Sequence, residues 1–579
     1  MPSITPVPTE LGIDNAPPVL SISSLSVHAV DPQANVPVLT DISFQVRAGE
    51  IVCIVGESGS GKSVTSLAVM GLLPRRELVA SAGQILVNGE DTLSASANRL
   101  RQMRATQMAM VFQEPMTALN PVETVGFQIE EVLRLHTGLN RTERHRKVLD
   151  MLSSVHLPDV DRIYDAYPHE LSGGQRQRIV IAMALILKPK LLIADEPTTA
   201  LDVTTQKQIL SLIRELQQKQ NTAVLFITHD FGVVAEIADR IIVMYRGKVI
   251  EVGNRDDILA RPVEPYTRKL VTSVPSLVPV KLEASKKKNI LDVVSLSKVY
   301  TQKKMFGRDT SVAAASDVSL SLGRAEIAGI VGESGSGKST VARCIVRLIQ
   351  PTSGSVCIDG VDVSRQTGRQ LSLWRRRVQV VFQDPYRSLN PRMRIGDSVI
   401  EGLTNFGMRR AEAMEKARDL LKVVGLDAEV LQRYPHQFSG GQRQRICIAR
   451  ALSLEPEVLV ADEAVSALDV SVQAQVLQLL REIRERTGIA ILFITHDLRV
   501  AAQICDTIVV MQKGRIVESG SAVEVLTNPR EAYTRALISA APGRNWDFQN
   551  LRPLDAASLQ PIADPIELGR EEIKIDIPS

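Results

Sequence analysis

Short apolar runs that end at polar or glycine-rich segments recur along the chain and predict buried strands. Glu50–Val55 leads into a glycine-rich loop, and the stretch after that loop, Val64–Leu73, is predicted to be helical. Lys190–Ala194 and Glu457–Ala461 are apolar runs followed by Asp-Glu, while VLFIT and ILFIT each lead into a histidine. Polar side chains therefore collect at strand ends, where α/β domains bind their ligands.

Two other segments have the helical periodicity of one buried face. The apolar positions are Val148, Leu149, Leu152 and Val155 in the first segment, and Met414, Ala417, Leu421 and Val424 in the second. We interpret both stripes as core. Two further helices are predicted to begin at LSGGQ (171–175) and FSGGQ (438–442), because Ser172 and Ser439 are good N-caps and the glycines after them expose backbone N–H groups.

The whole set of motifs occurs twice, which indicates a duplicated domain. GESGSGKS occupies Gly56–Ser63 and Gly332–Ser339, and His496 lies 267 positions after His229. A chain of 579 residues also exceeds what one core supports. We predict a first domain over 20–275, an exposed linker over 276–290, a second domain over 291–545, and loose tails at 1–19 and 546–579.

Each copy of GESGSGKS fits G-x-x-x-x-G-K-[ST], the pattern of a phosphate-binding loop. Backbone N–H groups of such a loop surround the phosphates, the lysine adds positive charge, and the serine hydroxyl reaches magnesium. The residues predicted to bind ATP are Gly56, Glu57, Ser58, Gly59, Ser60, Gly61, Lys62 and Ser63 in the first half, and Gly332, Glu333, Ser334, Gly335, Ser336, Gly337, Lys338, Ser339 and Thr340 in the second.

Carboxylates, histidines and glutamines at strand ends supply the remaining chemistry. The first carboxylate of each Asp-Glu pair can hold magnesium, and the second can orient and activate a water against the γ-phosphate. The histidine can hydrogen-bond the γ-phosphate or that water. The predicted magnesium ligands are Ser63, Gln113, Asp195, Ser339, Gln383 and Asp462. The predicted catalytic residues are Glu196, His229, Glu463, His496, Gln113 and Gln383.

Composition narrows the class of protein. The balance of 68 basic and 65 acidic residues is too even for a general nucleic-acid binder. Five scattered cysteines fit a reducing compartment and are expected to be small buried side chains. No Lys or Arg precedes Arg47, and the longest clean apolar run, Ile179–Leu187, is far shorter than the ~20 residues of a membrane helix. We expect a chain that is soluble by itself, so any work at a membrane needs other chains.

The string of phosphate loop, glutamine, LSGGQ, Asp-Glu strand and histidine resembles the ATP-binding cassette (ABC) family over most of the chain. The resemblance implies an α/β fold with two tandem P-loop NTPase domains, each with a RecA-like core, a small antiparallel β subdomain and a helical subdomain. It also implies head-to-tail pairing of the two domains, with each ATP between one phosphate loop and the LSGGQ of the other domain. The LSGGQ residues that would bind ATP are Ser172, Gly173, Gly174, Gln175, Ser439, Gly440, Gly441 and Gln442. Asp202 and Asp469 match the loop that links the two sites.

Within that family, the chain resembles the fused ATPases of peptide and nickel importers. Three segments carry this resemblance: FQEPMTALNP (112–121), FQDPYRSLNP (382–391) and PYTR (265–268). The resemblance implies an ATPase that uses ATP and Mg2+ and lies peripherally on the cytoplasmic face of a bacterial inner membrane. Its partners would be two transmembrane permeases, docked at roughly 114–171 and 384–438, and a solute-binding protein, with no nucleic acid. The solute stays open among dipeptides, oligopeptides, glutathione, nickel and opines.

Two positions depart from the family pattern. The family stacks adenine on an aromatic residue before the phosphate loop, and Tyr300 fits this place in the second half, but Ala29 occupies it in the first. We expect either that His28 substitutes or that the first site binds adenine less tightly. Ala464 stands where the family has proline after the second catalytic glutamate.

Two alternatives from other classes are weaker. A soluble tandem cassette protein acting on ribosomes would carry a long charged helical arm between its domains, and this chain has only the short linker at 276–290. A DNA-repair ATPase would need a coiled-coil or zinc insertion, and the sequence shows neither.

Overall fold

The computed structural model describes residues 17–30, 36–113, 118–199, 201–280, 288–302, 310–466 and 468–554. The chain forms two compact units. The first comprises Met1–Thr199, Ile209–His229 and Ile237–Arg255, and the second comprises Ala200–Gln208, Asp230–Glu236 and Asp256–Ser579. Because these units interleave along the chain, the predicted domain limits stay a prediction.

The first unit contains a mixed six-stranded sheet and an antiparallel four-stranded sheet. Its strands are β1 (Leu20–Ala29), β2 (Pro37–Val46), β3 (Ile51–Val55), β4 (Leu78–Val87), β5 (Glu90–Asp91), β6 (Met108–Val111), β7 (Leu191–Asp195), β8 (Ala223–Ile227), β9 (Arg240–Tyr245) and β10 (Lys248–Asn254). Its helices are Lys62–Val69, Ala97–Thr106, Val125–His136, Arg141–Ser154, Val160–Asp165 and Gly173–Leu185, with a 3-10 turn at Pro168–Glu170. Helices Val203–Gln220, Phe231–Ile237 and Arg255–Ala260 have residues in both units.

The strand order of the larger sheet, β10-β9-β3-β8-β7-β6, places β3 at its centre. Strands β6, β7, β8, β3 and β9 run parallel, and β10 is antiparallel to β9. Every residue of β3, β7 and β8 is buried. Burial on both faces explains why these strands are continuous apolar runs rather than alternating ones.

The second unit repeats this architecture. Its strands are β11 (Asn289–Gln302), β12 (Thr310–Gly323), β13 (Ile327–Val331), β14 (Ser353–Ile358), β15 (Val361–Asp362), β16 (Val378–Val381), β17 (Val458–Asp462), β18 (Ala490–Ile494), β19 (Thr507–Gln512), β20 (Arg515–Ser521), β21 (Trp546–Asp547) and β22 (Arg552–Pro553). Its helices are Pro265–Thr272, Lys338–Ile345, Gly368–Arg377, Pro385–Ser388, Ile395–Asn405, Arg410–Val423, Gly440–Leu452, Val470–Thr487, Leu498–Ile504, Ala522–Thr527 and Ala532–Ala540, with 3-10 turns at Ala428–Gln432 and Pro435–Gln437.

The sheet order β16-β17-β18-β13-β19-β20 matches that of the first unit strand for strand. In both units the central strand lies between two parallel neighbours, and the chain leaves it at its carboxyl end through the predicted phosphate loop. The prediction of two duplicated α/β domains is therefore confirmed. A four-stranded antiparallel sheet, β2-β1-β4-β5 or β12-β11-β14-β15, accompanies each.

The predicted helical stripes are core. Val148, Leu152, Ala417 and Leu421 are fully buried, with Leu149 and Met414 partly buried beside them. Of the five cysteines, Cys53, Cys344, Cys447 and Cys505 are buried and Cys357 is half-buried, as expected for small side chains in the interior. Within the described ranges, no helix is both long and apolar enough to cross a bilayer.

The predicted linker is not exposed at its start. Ser276, Leu277 and Val278 are buried, and the side-chain amide of Gln503 donates to the carbonyl oxygens of Ser276 and Val278 at 3.3 Å each. The expectation of an exposed linker is wrong here, because an apolar PSLVP segment follows the last helix and packs rather than facing water. Residues 281–287 of the linker lie outside the described part.

The predicted tails are also partly folded. Residues 546–554 form the β21–β22 hairpin, in which Phe548 is fully buried, and Val19 is buried before β1. The polar composition of the whole segment 546–579 hid this single buried ring from the sequence. Residues 1–16 and 555–579 lie outside the described part.

Candidate active sites

The first phosphate loop joins β3 to helix Lys62–Val69. Gly56 has φ of 152°, and a Cβ there would lie 2.3 Å from the carbonyl oxygen of Met244, so only glycine fits. Gly61 caps the helix in the left-handed region, with φ of 101°. The Lys62 ammonium is buried inside the loop and donates to the carbonyl oxygens of Gly56 and Glu57 at 2.8 and 2.9 Å.

The second phosphate loop has the same geometry. Gly332 has φ of 151°, and a Cβ would lie 2.3 Å from the carbonyl oxygen of Met511. The Lys338 ammonium donates to the carbonyl oxygens of Gly332 and Glu333 at 2.8 Å each. Both lysines are thus held within their loops, where bound phosphates would meet them.

In the first unit, the side chains predicted from separate strand ends meet at one edge of the sheet. The Ser63 hydroxyl donates to Asp195 at 3.3 Å. Glu196 accepts from the Gln113 amide at 2.8 Å, and its other carboxylate oxygen lies 2.9 Å from His229 Nδ1. The structure therefore places the five predicted residues beside the phosphate loop in two hydrogen-bonded groups, which adjoin because Asp195 and Glu196 are consecutive in the chain.

The second unit forms an equivalent cluster with one looser contact. Ser339 donates to Asp462 at 3.0 Å, and Gln383 donates to Glu463 at 2.8 Å. The distance from His496 Nδ1 to Glu463 is 3.5 Å, longer than that of its counterpart in the first unit.

Thr199 was missed by sequence reasoning. Its hydroxyl donates to the carboxylate of Glu196 at 3.0 Å, whereas Ser466, at the equivalent position, donates to the backbone carbonyl of Glu463 at 3.0 Å. The first glutamate is therefore held by one more side chain. The only signal in the sequence is a hydroxyl residue three positions after each glutamate, which is too common to be informative.

Both glutamates have a backbone conformation that side chains rarely adopt. Glu196 has φ of 48° and Glu463 has φ of 49°. This conformation costs about 1–3 kcal/mol. Hydrogen bonds from their N–H groups to the carbonyl oxygens of Ile227 (2.9 Å) and Ile494 (3.0 Å) hold it, which aims each carboxylate away from its strand.

Within each Asp-Glu pair, the pKa of the aspartate is raised and the pKa of the glutamate is lowered. Burial raises the pKa of Asp195 and of Asp462 above the ordinary range. Burial also acts to raise the pKa of Glu196 and of Glu463, but the adjacent histidines outweigh it and hold both values below the ordinary range. The glutamates are therefore ionised and able to accept a proton.

The two LSGGQ segments begin helices, as predicted. Ser172 caps helix Gly173–Leu185 by accepting from the Gln175 N–H at 3.3 Å, and the Gln175 side chain accepts from the Ser172 N–H at 3.0 Å. Ser439 and Gln442 form the same reciprocal cap on helix Gly440–Leu452. Each helix start has the partial positive charge that attracts phosphate.

Strand register supports the predicted difference at the adenine position. Leu20 of β1 faces Val46, and Leu291 of β11 faces Leu322 in the same place, so Ala29 and Tyr300 are equivalent. The Tyr300 ring is 45% exposed, with the Lys298 ammonium 5.2 Å from its centroid. His28 Nδ1 lies 2.7 Å from the Ser81 hydroxyl, which ties that ring to β4.

A second contact was not anticipated from sequence. The Tyr533 hydroxyl accepts from the backbone N–H of Glu333 at 3.2 Å, which links helix Ala532–Ala540 to the phosphate loop. Burial raises the pKa of Tyr533 to about 12, so the phenol stays neutral. The recurrence of YTR 267 positions apart was the available signal.

Comparison with known proteins agrees with this geometry. A model of the ABC transporter family matches residues 39–199 and 315–466, and a model of the oligopeptide/dipeptide transporter C-terminal region matches 250–299 and 517–560. The glutathione import ATP-binding protein of Pectobacterium atrosepticum is 43% identical over 596 residues, covering 97% of this chain and 93% of that protein. The protein of the same description from Escherichia coli (strain K12) is 44% identical over 588 residues, covering 96% and 94%.

The family matches span both phosphate loops and both Asp-Glu strands, and the relatives align along nearly the whole chain. The resemblance stated from motifs is confirmed. The chain belongs to the ABC transporter family, as an ATP-binding subunit with ATPase activity built from two cassettes.

Proposed function

We propose that this chain powers an importer of peptides or related small solutes such as glutathione. The observation that carries the proposal is that two complete hydrolytic clusters occur in one chain together with two matches to the oligopeptide/dipeptide transporter C-terminal region. Membership of the family already implies permease partners. To these we add a solute-binding protein and a position on the cytoplasmic face of the inner membrane.

The residues at each site fit Mg2+. A serine hydroxyl, a buried aspartate and a glutamine amide converge beside each phosphate loop, and oxygen ligands of this kind suit a hard divalent cation. Ser63, Asp195 and Gln113 would hold it in the first site, and Ser339, Asp462 and Gln383 in the second. When bound, it would neutralise charge on the phosphates.

Hydrolysis follows from what the chain's own side chains can do. Each buried lysine would turn its ammonium from the loop carbonyls to the outer phosphates of ATP. The ionised Glu196 or Glu463 would accept a proton from the attacking water, and the histidine beside it would hold that carboxylate in place. The backbone N–H groups of the loop would stabilise charge on the phosphates.

We also propose that the two cassettes pair head to tail, so that each ATP contacts the LSGGQ of the other cassette. Segment 200–208 supports the pairing, because it lies in the first half of the sequence but belongs to the second compact unit. Burial lowers the pKa of Lys338, but the charge of Asp202 is among those that act in the opposite direction. In the proposed pairing, Asp202 of the first half would lie near the phosphate-loop lysine of the second half.

A cleft in the first unit supports permease docking on the segment predicted from 114–171. It has a volume of about 630 Å3 and is lined by Met110, Phe112, Val132, His136, Met183 and Leu187, among others. Phe112 is 42% exposed and immediately precedes Gln113, so an apolar helix seated here would press on a residue of the hydrolytic cluster. Residues 114–117 of that segment lie outside the described part.

The importer proposal is tested by reconstituting the chain in vesicles with its permease partners, with the solute-binding protein added outside and ATP inside. We expect uptake of glutathione or of a short peptide, and faster ATP hydrolysis in its presence. A complex that binds ATP but neither takes up any of these solutes nor responds to them would contradict the proposal. Uptake of nickel alone would identify a different solute class.

Stacking on Tyr300 predicts unequal adenine binding at the two sites. Tyr300→Ala is expected to weaken ATP binding at the second site about tenfold, because stacking of a base on an aromatic ring contributes about 1–3 kcal/mol. Ala29→Tyr is expected to strengthen the first site. Equilibrium ATP binding should be measured in chains whose other site is disabled by lysine substitution, with Tyr300→Phe as the control that keeps the ring. Equal affinities before and after both changes would refute the hypothesis.

A further inference from the structure

One buried arginine in the second unit binds two aspartates at once. The Arg499 guanidinium donates to both carboxylate oxygens of Asp230 at 3.0 Å, and to the two oxygens of Asp497 at 3.1 and 2.9 Å. It also donates to the carbonyl oxygen of Pro542 at 3.3 Å. The Arg499 side chain is only 8% exposed, so these bonds form largely away from water. Bidentate pairing of this kind is the strongest form of ion pair available to side chains.

The two aspartates are equivalent residues of the duplicated halves. Asp230 directly follows His229, Asp497 directly follows His496, and the pairs are 267 positions apart. Each histidine contacts its catalytic glutamate, at 2.9 Å in the first cluster and 3.5 Å in the second. A single cation therefore holds the residue next to each of the two histidines.

The arrangement is asymmetric by construction. The position equivalent to Arg499 in the first half is Gly232, and a Cβ added there would lie 2.0 Å from the Arg499 Nη1 atom. Glycine at 232 makes the space that the guanidinium occupies. One arginine thus serves both carboxylates, and no second arginine fits at the matching place.

Electrostatics keep the three groups together. Burial by itself lowers the pKa of Arg499, but Asp230 and Asp497 more than offset it and the pKa is raised. A buried charge separated from its partner is strongly unfavourable. If either aspartate moves, the guanidinium must move with it to stay paired, and the other aspartate must then follow the guanidinium.

Segments from elsewhere in the chain contact the same two helices. The Gly543 N–H donates to the side chain of Glu236 at 3.2 Å, on helix Phe231–Ile237. Gln503, which is equivalent to Glu236, donates to the carbonyl oxygens of Ser276 and Val278 at 3.3 Å, from helix Leu498–Ile504. Both helices that follow the histidines are therefore also held near their carboxyl ends.

We propose that Arg499 is a positioning residue that couples the two catalytic histidines. A displacement of either histidine shifts the aspartate next to it, and Arg499 passes that shift to the other aspartate and its histidine. The two ATP sites therefore do not hydrolyse ATP independently. The inference goes beyond import, because it concerns the relation between the sites whatever solute is moved. It rests on the catalytic role proposed for the histidines.

The test uses the full chain with its permeases and compares wild type with Arg499→Gln. In the wild type we expect ATP hydrolysis with a Hill coefficient above one, and a loss of well over half the rate when Glu463 is replaced by glutamine. In Arg499→Gln we expect a Hill coefficient of one. Adding Glu463→Gln to that variant should leave about half of the hydrolysis rate that Arg499→Gln has alone. Arg499→Lys keeps the charge without the planar fork and should give an intermediate value.

Arg484→Gln is the matched control. Arg484 is another arginine of the second unit with little exposure, 12% of its side chain, and it pairs with Asp506 at 3.2 Å, but neither residue adjoins a histidine of the sites. It should lower the thermal unfolding temperature and leave the Hill coefficient unchanged. If Arg499→Gln does not fold, the neutral triple variant Asp230→Asn, Arg499→Gln, Asp497→Asn removes the unpaired charges and is measured instead. A variant that folds and keeps the wild-type Hill coefficient and response to Glu463→Gln overturns the proposal, as does a wild type whose sites already act independently.

Discussion

Replacing Glu196 and Glu463 together by glutamine is expected to lower kcat for ATP hydrolysis by about 10²–10⁴-fold, the usual contribution of a general base. Both carboxylates are largely shielded from water, and hydrogen bonds and charges, chiefly of the adjacent histidines, hold the pKa of each below its ordinary value. Glutamine has nearly the same shape and can keep hydrogen bonds with its neighbours, but it cannot accept a proton. ATP binding should persist, so the double variant should accumulate bound, unhydrolysed ATP.

The measurement is steady-state phosphate release together with nucleotide content after rapid gel filtration. Each single variant should lose at least half the rate, because it has lost one of the two bases. Glu485→Gln is the control, because that carboxylate is 66% exposed on helix Val470–Thr487 and its nearest basic group, on Arg484, is 3.7 Å away. Wild-type turnover in the double variant would show that neither glutamate is the base.

Lys62→Ala and Lys338→Ala in one chain are expected to lower kcat/KM for ATP by about 10²–10³-fold, the loss seen when one preorganised donor is removed. Each ammonium is buried in its loop and donates to two of the loop carbonyls. Alanine removes the charge that meets the outer phosphates and leaves those carbonyls without this donor.

Equilibrium binding of ATP and the rate of hydrolysis should fall together, in contrast to the glutamate variants. Lys422→Ala is the control, because Lys422 is 70% exposed on helix Arg410–Val423, far along the chain from the loop motifs. Unchanged ATP affinity in the double lysine variant would mean that the loop N–H groups alone bind the phosphates.

Local patterns were enough to predict the framework of each site. The apolar run Glu50–Val55 became β3 (Ile51–Val55), and the helix expected from Val64 begins at Lys62 because Gly61 caps it. Strand, loop and helix follow from hydrophobicity and glycine placement over a dozen residues. Ser172 and Ser439 cap their helices for the same local reason.

Contacts between distant residues could not be predicted in this way. The burial of Ser276 depends on Gln503, and the pairing of Arg499 depends on Asp230, 269 positions earlier. A short segment between two domains and an arginine on a helix are normally solvated, so exposure was expected in both places. Likewise, the left-handed backbone of Glu196 is held by a hydrogen bond to Ile227 in another strand, which no local pattern reveals.

The glycine at 232 opposite the guanidinium of Arg499 also limits how the two repeats can evolve. Recombination between the nearly identical motif stretches would copy the second-half sequence over the first and put an arginine at 232, whose Cβ would lie 2.0 Å from the Arg499 Nη1 atom. Such a homogenised gene would encode two like charges competing for one pair of aspartates. Glycine at 232 and arginine at 499 are therefore expected to remain different in the two repeats.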